Sequence, residues 1–172
     1  MGNYDTGQEV KDIVTAMFNT QDAADVAIVT DHLSWEECLK KAADAMAADA
    51  TTQAVFGAAR RRAKVKAIYY VTDAALTAHD TNFASLIVQK LTAAGATAVT
   101  LGTAATTLTA GTGSWVAKTV ISFTLSTVAG ALVLEALAPL TFGITKGGSG
   151  VVVPAGQLIV VLEPAGANDS TS

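Results

Sequence analysis

The chain has 172 residues, of which 51% are apolar, 15% charged and 6% aromatic; it is too apolar and too weakly charged for wholesale disorder, and long enough for one domain with an appendage. A net charge of -4 argues against a dedicated nucleic-acid binder, which carries a basic face. The single cysteine, Cys38, excludes an intramolecular disulfide framework and a cysteine-rich zinc site.

At the start, Met1 to Asp5 lack the basic stretch and apolar core of a secretory signal. Met1-Gly2 with Thr6 loosely matches a myristoylation pattern, and Asp5 opposes it. Residues 8–19 place Val10, Ile13, Val14 and Met17 at helical spacing, which predicts an amphipathic helix. A second helix is expected over 34–49. Ser34-x-x-Glu37 reads as a capping box, and Glu36–Lys40 and Glu37–Lys41 have the favourable i,i+4 order. A third, alanine-rich helix is expected over 53–62. Residues 1–62 are therefore expected to form a helical or extended arm, in keeping with the 18 charged residues that fall in positions 1–66 against 8 in the remainder.

From about Lys64 the periodicity becomes two. Strands are predicted over 64–72, 82–91, 96–101, 116–126, 131–134, 140–146 and 157–163. Ala84, Leu86 and Val88 alternate with Ser85 and Gln89; Ile121, Phe123 and Leu125 alternate with Ser122, Thr124 and Ser126; Leu140, Phe142 and Ile144 face inward. Glycine-bearing turns separate them at Gly95, Gly111 to Gly113, Gly147 to Gly150 and Pro154 to Gly156. The fold class expected is mainly β, an antiparallel β-sandwich over 63–164, with 165–172 as a flexible tail. The apolar stretch 120–144 imitates a membrane span, but its alternation and the breaks at Gly130 and Pro139 make it sheet, so no membrane partner is expected.

The chemical candidates are few, and each has a structural competitor. Arg60, Arg61, Arg62, Lys64 and Lys66 concentrate positive charge; they suit an acidic patch on a partner protein, with phosphate or nucleic acid well behind, or else form a solvated junction. His32 beside Asp31 and His79 beside Asp80 invite a metal or catalytic reading, and loop positions without chemistry are favoured over it. Cys38 is expected to pack as a small apolar residue on its helix. Residues 147–150 lack the Gly-Lys-Ser/Thr ending of a phosphate loop and are expected to close a hairpin. Trp115 is either a sugar-stacking platform or, as favoured, a cap on the core. No triad, carboxylate pair or metal-ligand spacing supports an enzyme, and no cofactor or metal is expected.

Leu76-Thr77-Ala78-His79-Asp80-Thr81-Asn82-Phe83-Ala84-Ser85-Leu86 resembles a segment of tailed-bacteriophage capsid decoration (cement) and head-fibre proteins. Gly113-Ser114-Trp115-Val116-Ala117 and the stretch from Leu140 to Gly156 resemble the start of a central strand and the closing hairpin of the same proteins. The resemblance covers residues 64–163. It implies a jelly-roll-like sandwich, a homotrimer on the outer capsid at three-fold positions, and the major capsid protein as partner. The location implied is the virion surface, after synthesis in the host cytoplasm. The alternatives are a head-fibre or tail-associated subunit, and a carbohydrate- or receptor-binding module that would stack glycans on Trp115, Tyr69 and Tyr70.

Overall fold

A computed structural model of the chain describes residues 36–47, 53–92, 98–166 and 169. Every regular element among them is a strand: β1 Glu37–Ala43, β2 Gln53–Ala58, β3 Ala63–Thr72, β4 Phe83–Leu91, β5 Ala98–Ala105, β6 Val120–Ser122, β7 Thr124–Leu125, β8 Val133–Leu134, β9 Pro139–Gly147 and β10 Gly156–Pro164. All pairings are antiparallel, and the strands join in two sheets. The first runs β1-β10-β3-β6, with β8 also on β3; the second runs β2-β9-β4-β5-β7. One set of the pairings is nested along the chain, and β3–β10, β4–β9 and β5–β7 interleave with it. In the nested set β1 meets β10, β2 meets β9, β3 meets β8 and β6, and β4 meets β5.

Side-chain alternation sets which face each strand buries. In β3, Ala63 and Val65 point inward, and so do Ile68, Tyr70 and Thr72; the phase changes between the two groups. The change coincides with a register shift, because Val65 opposes Leu162 while Ala67 opposes Val161, leaving Lys66 as the extra residue of a bulge. Leu158, Val160 and Leu162 complete the inner face of the first sheet, and Leu86, Val88, Leu101, Leu140, Phe142 and Ile144 supply that of the second. The two inner faces meet where the Tyr70 ring of β3 stacks on Phe142 of β9, with centroids 6.1 Å apart. Each such fully buried aliphatic or aromatic side chain contributes about 1.5–3 kcal/mol through removal from water.

The expected helical arm is not found where the structure can be compared with it. Residues 37–43 of the helix expected over 34–49, and 53–58 of that expected over 53–62, are strands β1 and β2. A capping box contributes about 1 kcal/mol and each i,i+4 charge pair only tenths of a kcal/mol. By contrast, β1 pairs with β10 through seven consecutive residues, and that tertiary gain overrides a weak local preference. The boundary expected at residue 62 therefore cuts through both sheets. The helix expected over 8–19 lies outside the described residues.

Within 64–163 the predicted strands return with two changes. The strand expected over 116–126 is short and divided. Lys118, at φ 61°, sits in a turn whose amide donates to the Thr72 carbonyl at 2.7 Å, and only β6 and β7 follow, one in each sheet. Phe123 between them is the pivot at which the chain changes sheet, its amide donating to the Ile68 carbonyl at 2.9 Å. The second change concerns residues 147–150, which do not close a hairpin: β9 lies in the second sheet and β10 in the first. The turn there, with Gly148 and Gly150 at φ 57° and 71°, leads into residues 151–155, which cross to the other layer and bridge Met46 through Val153.

Candidate interaction site

The five basic residues lie on the turn after β2 and along the start of β3, and the fold places acidic partners beside Arg60, Arg62, Lys64 and Lys66. Arg60 Nε lies 3.8 Å from Glu37 at the start of β1. Lys66, displaced outward by the bulge, pairs with Glu36, whose hydrogen bond and charge hold the ammonium pKa above its ordinary value. Arg62 is half-buried. Its Nη1 donates to the Gly166 carbonyl at 3.0 Å, its Nη2 donates to the Asp169 carbonyl, and its Nε lies 3.5 Å from Glu135. Lys64 Nζ donates to Asp169 Oδ1 at 3.2 Å. Asp169 Oδ2 in turn accepts the Gly166 amide at 2.8 Å; that bond first, and Lys64 second, hold the carboxyl below the usual carboxylate range. Arg61 is exposed. The cluster is thus a hub joining β1, β3, the β8–β9 turn and the residues that follow β10.

Glu135 and Asp169 were not singled out from sequence, because they stand 73 and 107 residues along the chain from Arg62 and only folding brings them to it. A second feature also went unread. On the outward side of the first sheet, Cys38, Val161 and Ala67 form one row, Lys40, Ile159, Tyr69 and Ser122 a second, and Ala42, Gln157, Val71 and Val120 a third. Lys40 is the one charge in those rows. The signal was present in β10, where Leu158, Ile159, Val160, Val161 and Leu162 are apolar at both phases of the alternation. Such a strand is expected where both faces are covered.

The remaining candidates have structural roles. His79 Nδ1 accepts the amides of Thr81 and Asn82, both at 3.0 Å. Asp80 Oδ1 accepts those of Leu108 and Thr109 at 2.8 and 3.2 Å. Among the described residues, no three of His, Cys, Asp and Glu come together as a metal-ligand group. His32 and Asp31 lie outside the described residues. Cys38 is exposed on β1, not buried as expected, because the strand alternation turns it away from the core. Trp115 caps the core. It is 3% exposed, bridges Leu76, donates Nε1–H to Thr112 Oγ1 at 2.8 Å and lies 5.8 Å from the Tyr70 ring. With Trp115 and Tyr70 both inside, these two rings present no stacking platform for a glycan.

A half-open, largely apolar cavity of about 480 Å³ lies beside β8 and the start of β9, lined by Leu91, Val133, Leu137 and Pro139 among others. Its cation, Lys90, donates to the carbonyls of Gly130 and Val133 at 3.0 and 2.6 Å, and burial holds its pKa below the ordinary lysine value. No helix among the described residues is long and apolar enough to cross a membrane. No protein-family model, curated protein or solved structure matches the chain.

Proposed function

We propose that the chain is a capsid decoration (cement) protein of a tailed phage, a jelly-roll-like sandwich that binds the outer head surface at three-fold positions as a homotrimer, with the major capsid protein as partner. The nested pairing order supports the jelly roll: a hairpin whose first strand meets its last, and so inward to β4 and β5, yields these two sheets when it is wound into two layers. The observation that carries the functional reading is the outward face of the first sheet. Ile159, Val161, Tyr69, Val71 and Val120 bring a broad apolar surface to the outside with little charge to keep it in water. Such a surface suits adhesion to a preassembled shell or to neighbouring copies. The basic hub at Arg60, Arg61, Arg62, Lys64 and Lys66 supplies the polar rim, directed at an acidic patch on the shell.

The test is cosedimentation of the purified chain with heads of the phage that encodes it, stripped of their own decoration protein. Saturable binding and a higher disruption temperature of the heads are expected. Val161→Glu should abolish both while the variant still melts cooperatively. A chain that stays monomeric in analytical ultracentrifugation and remains in the supernatant overturns the proposal.

A further inference from the structure

The contact between the basic hub and the end of the chain has the form of a ligand in a receptor. Arg62 spreads its two terminal nitrogens over two main-chain carbonyls, those of Gly166 and Asp169, while Lys64 takes the Asp169 carboxylate. Those two carbonyls and one carboxylate are the acceptor set that an acidic turn of any peptide offers to a planar fork of donors. The receptor half stands without the turn: Lys64 is on β3, paired to Glu163 of β10, and Arg62 Nε has Glu135 to orient it. The ligand half is tied less firmly. Asp169 follows the last strand, its amide turns back to the Gly166 carbonyl at 3.1 Å, and its ion pair to Lys64 is part-exposed, the kind of contact water and salt weaken.

We infer that Arg62 and Lys64 form a binding site for an acidic peptide turn, filled in cis by Gly166 and Asp169 of the same chain, and that an acidic turn of a partner protein takes their place. This rests on the reading of the basic hub as the contact with an acidic patch. Displacement exposes the fork and the Lys64 ammonium together, and the exposed Arg60 on the preceding turn adds positive charge that draws an acidic ligand toward them. The cis contact then acts as a competitor at high local concentration. It holds the site closed toward weak acidic ligands and yields to a surface that presents several acidic turns at once.

The probe is the labelled octapeptide of residues 165–172, followed by fluorescence anisotropy on the full-length chain at low ionic strength. Asp169→Lys, which repels the cis turn from Lys64 and Arg62, is expected to bind the octapeptide at least about threefold more tightly than the unmodified chain. Adding Arg62→Ala to that variant should remove the gain, and Arg62→Lys, which keeps the charge without the fork, should restore only part of it. An octapeptide with Asn in place of its Asp should not bind. A thermal melt of each variant separates loss of the site from loss of the fold. Equal affinity for Asp169→Lys and the unmodified chain, or binding indifferent to Arg62→Ala, overturns the inference. So does a concentration-dependent dimer abolished by Asp169→Lys, which would place the turn on a second copy. No phage head enters this assay, so its failure and a failure to sediment with heads are distinguishable.

Discussion

Tyr70, buried in the middle of the core, donates its hydroxyl hydrogen to the Pro154 carbonyl at 2.8 Å. The bond fastens β3 to the crossing that leads into β10, and it is the polar end of a ring otherwise packed on Phe142 and Trp115. Burial, with Asp73 adding to it, pushes the phenol pKa up to about 12. Since the folded value lies above the unfolded one of about 10, the stabilisation is complete below pH 10 and is lost as pH rises through the folded value. Absorbance titration should therefore show one of the 3 tyrosines ionising late, together with alkaline unfolding. Tyr70→Phe should remove the late step and cost about 1–2 kcal/mol in urea denaturation.

Gly156 opens β10 opposite Thr72, where a Cβ would stand 2.3 Å from the Val71 carbonyl oxygen and 2.8 Å from the Tyr70 ring. Neither neighbour can swing away, one being backbone and the other the buried ring just described. Gly156→Ala should cost about 1–3 kcal/mol, read as a lower urea midpoint at unchanged slope.

Asp80 caps the turn after β5 by accepting the amides of Leu108 and Thr109. A hydrogen bond from the Thr109 side chain, followed by those two amides, holds its carboxyl below the usual range. With the folded value depressed, its contribution is present above the unfolded carboxylate pKa and lost as pH falls through the folded one. In an NMR titration the Leu108 and Thr109 amides should shift together, with a midpoint below the ordinary aspartate value, and Asp80→Asn should abolish that step.

Deleting residues 1–62 removes β1 and β2, an edge strand from each sheet. It uncovers β10 along seven paired residues and β9 along five. The truncated chain should lose its cooperative melt and near-ultraviolet circular dichroism. A stable, cooperatively melting 63–172 fragment would show that the arm and the sheets are separable after all.

Trp115→Ala should cost about 3–5 kcal/mol, a large share of a domain's whole stability, because it empties a site against Tyr70. Denaturant melts give the cost directly. A variant that keeps its stability and loses only glycan binding would return Trp115 to the surface role that its burial opposes.

Most strands from residue 63 onward were legible because they carry their buried face in their own alternation. Leu140, Phe142 and Ile144 are buried as that pattern requires, and so are Ala84, Leu86 and Val88. The segment over 37–43 was misread for the converse reason. Its Ser34-x-x-Glu37 box and Glu–Lys spacings satisfy a helix locally, whereas Leu158 and Val160, more than a hundred residues later, supply the partner strand that makes it β1. Among the candidate site residues, the concentration of Arg60, Arg61, Arg62, Lys64 and Lys66 was visible at once. Its engagement with Glu36, Glu37, Glu135 and Asp169 was not.

By itself the sequence determined the chemistry of each segment: which side of an alternating stretch shuns water, and where charge collects. Those properties come from the periodicity of side chains two residues apart and need no distant partner. Tertiary structure alone decided which strands meet, that the chain changes sheet at Phe123, and that Asp169 lies on Arg62 and Lys64. Pairing energy depends on groups far apart along the chain, and no local pattern encodes their distance in space.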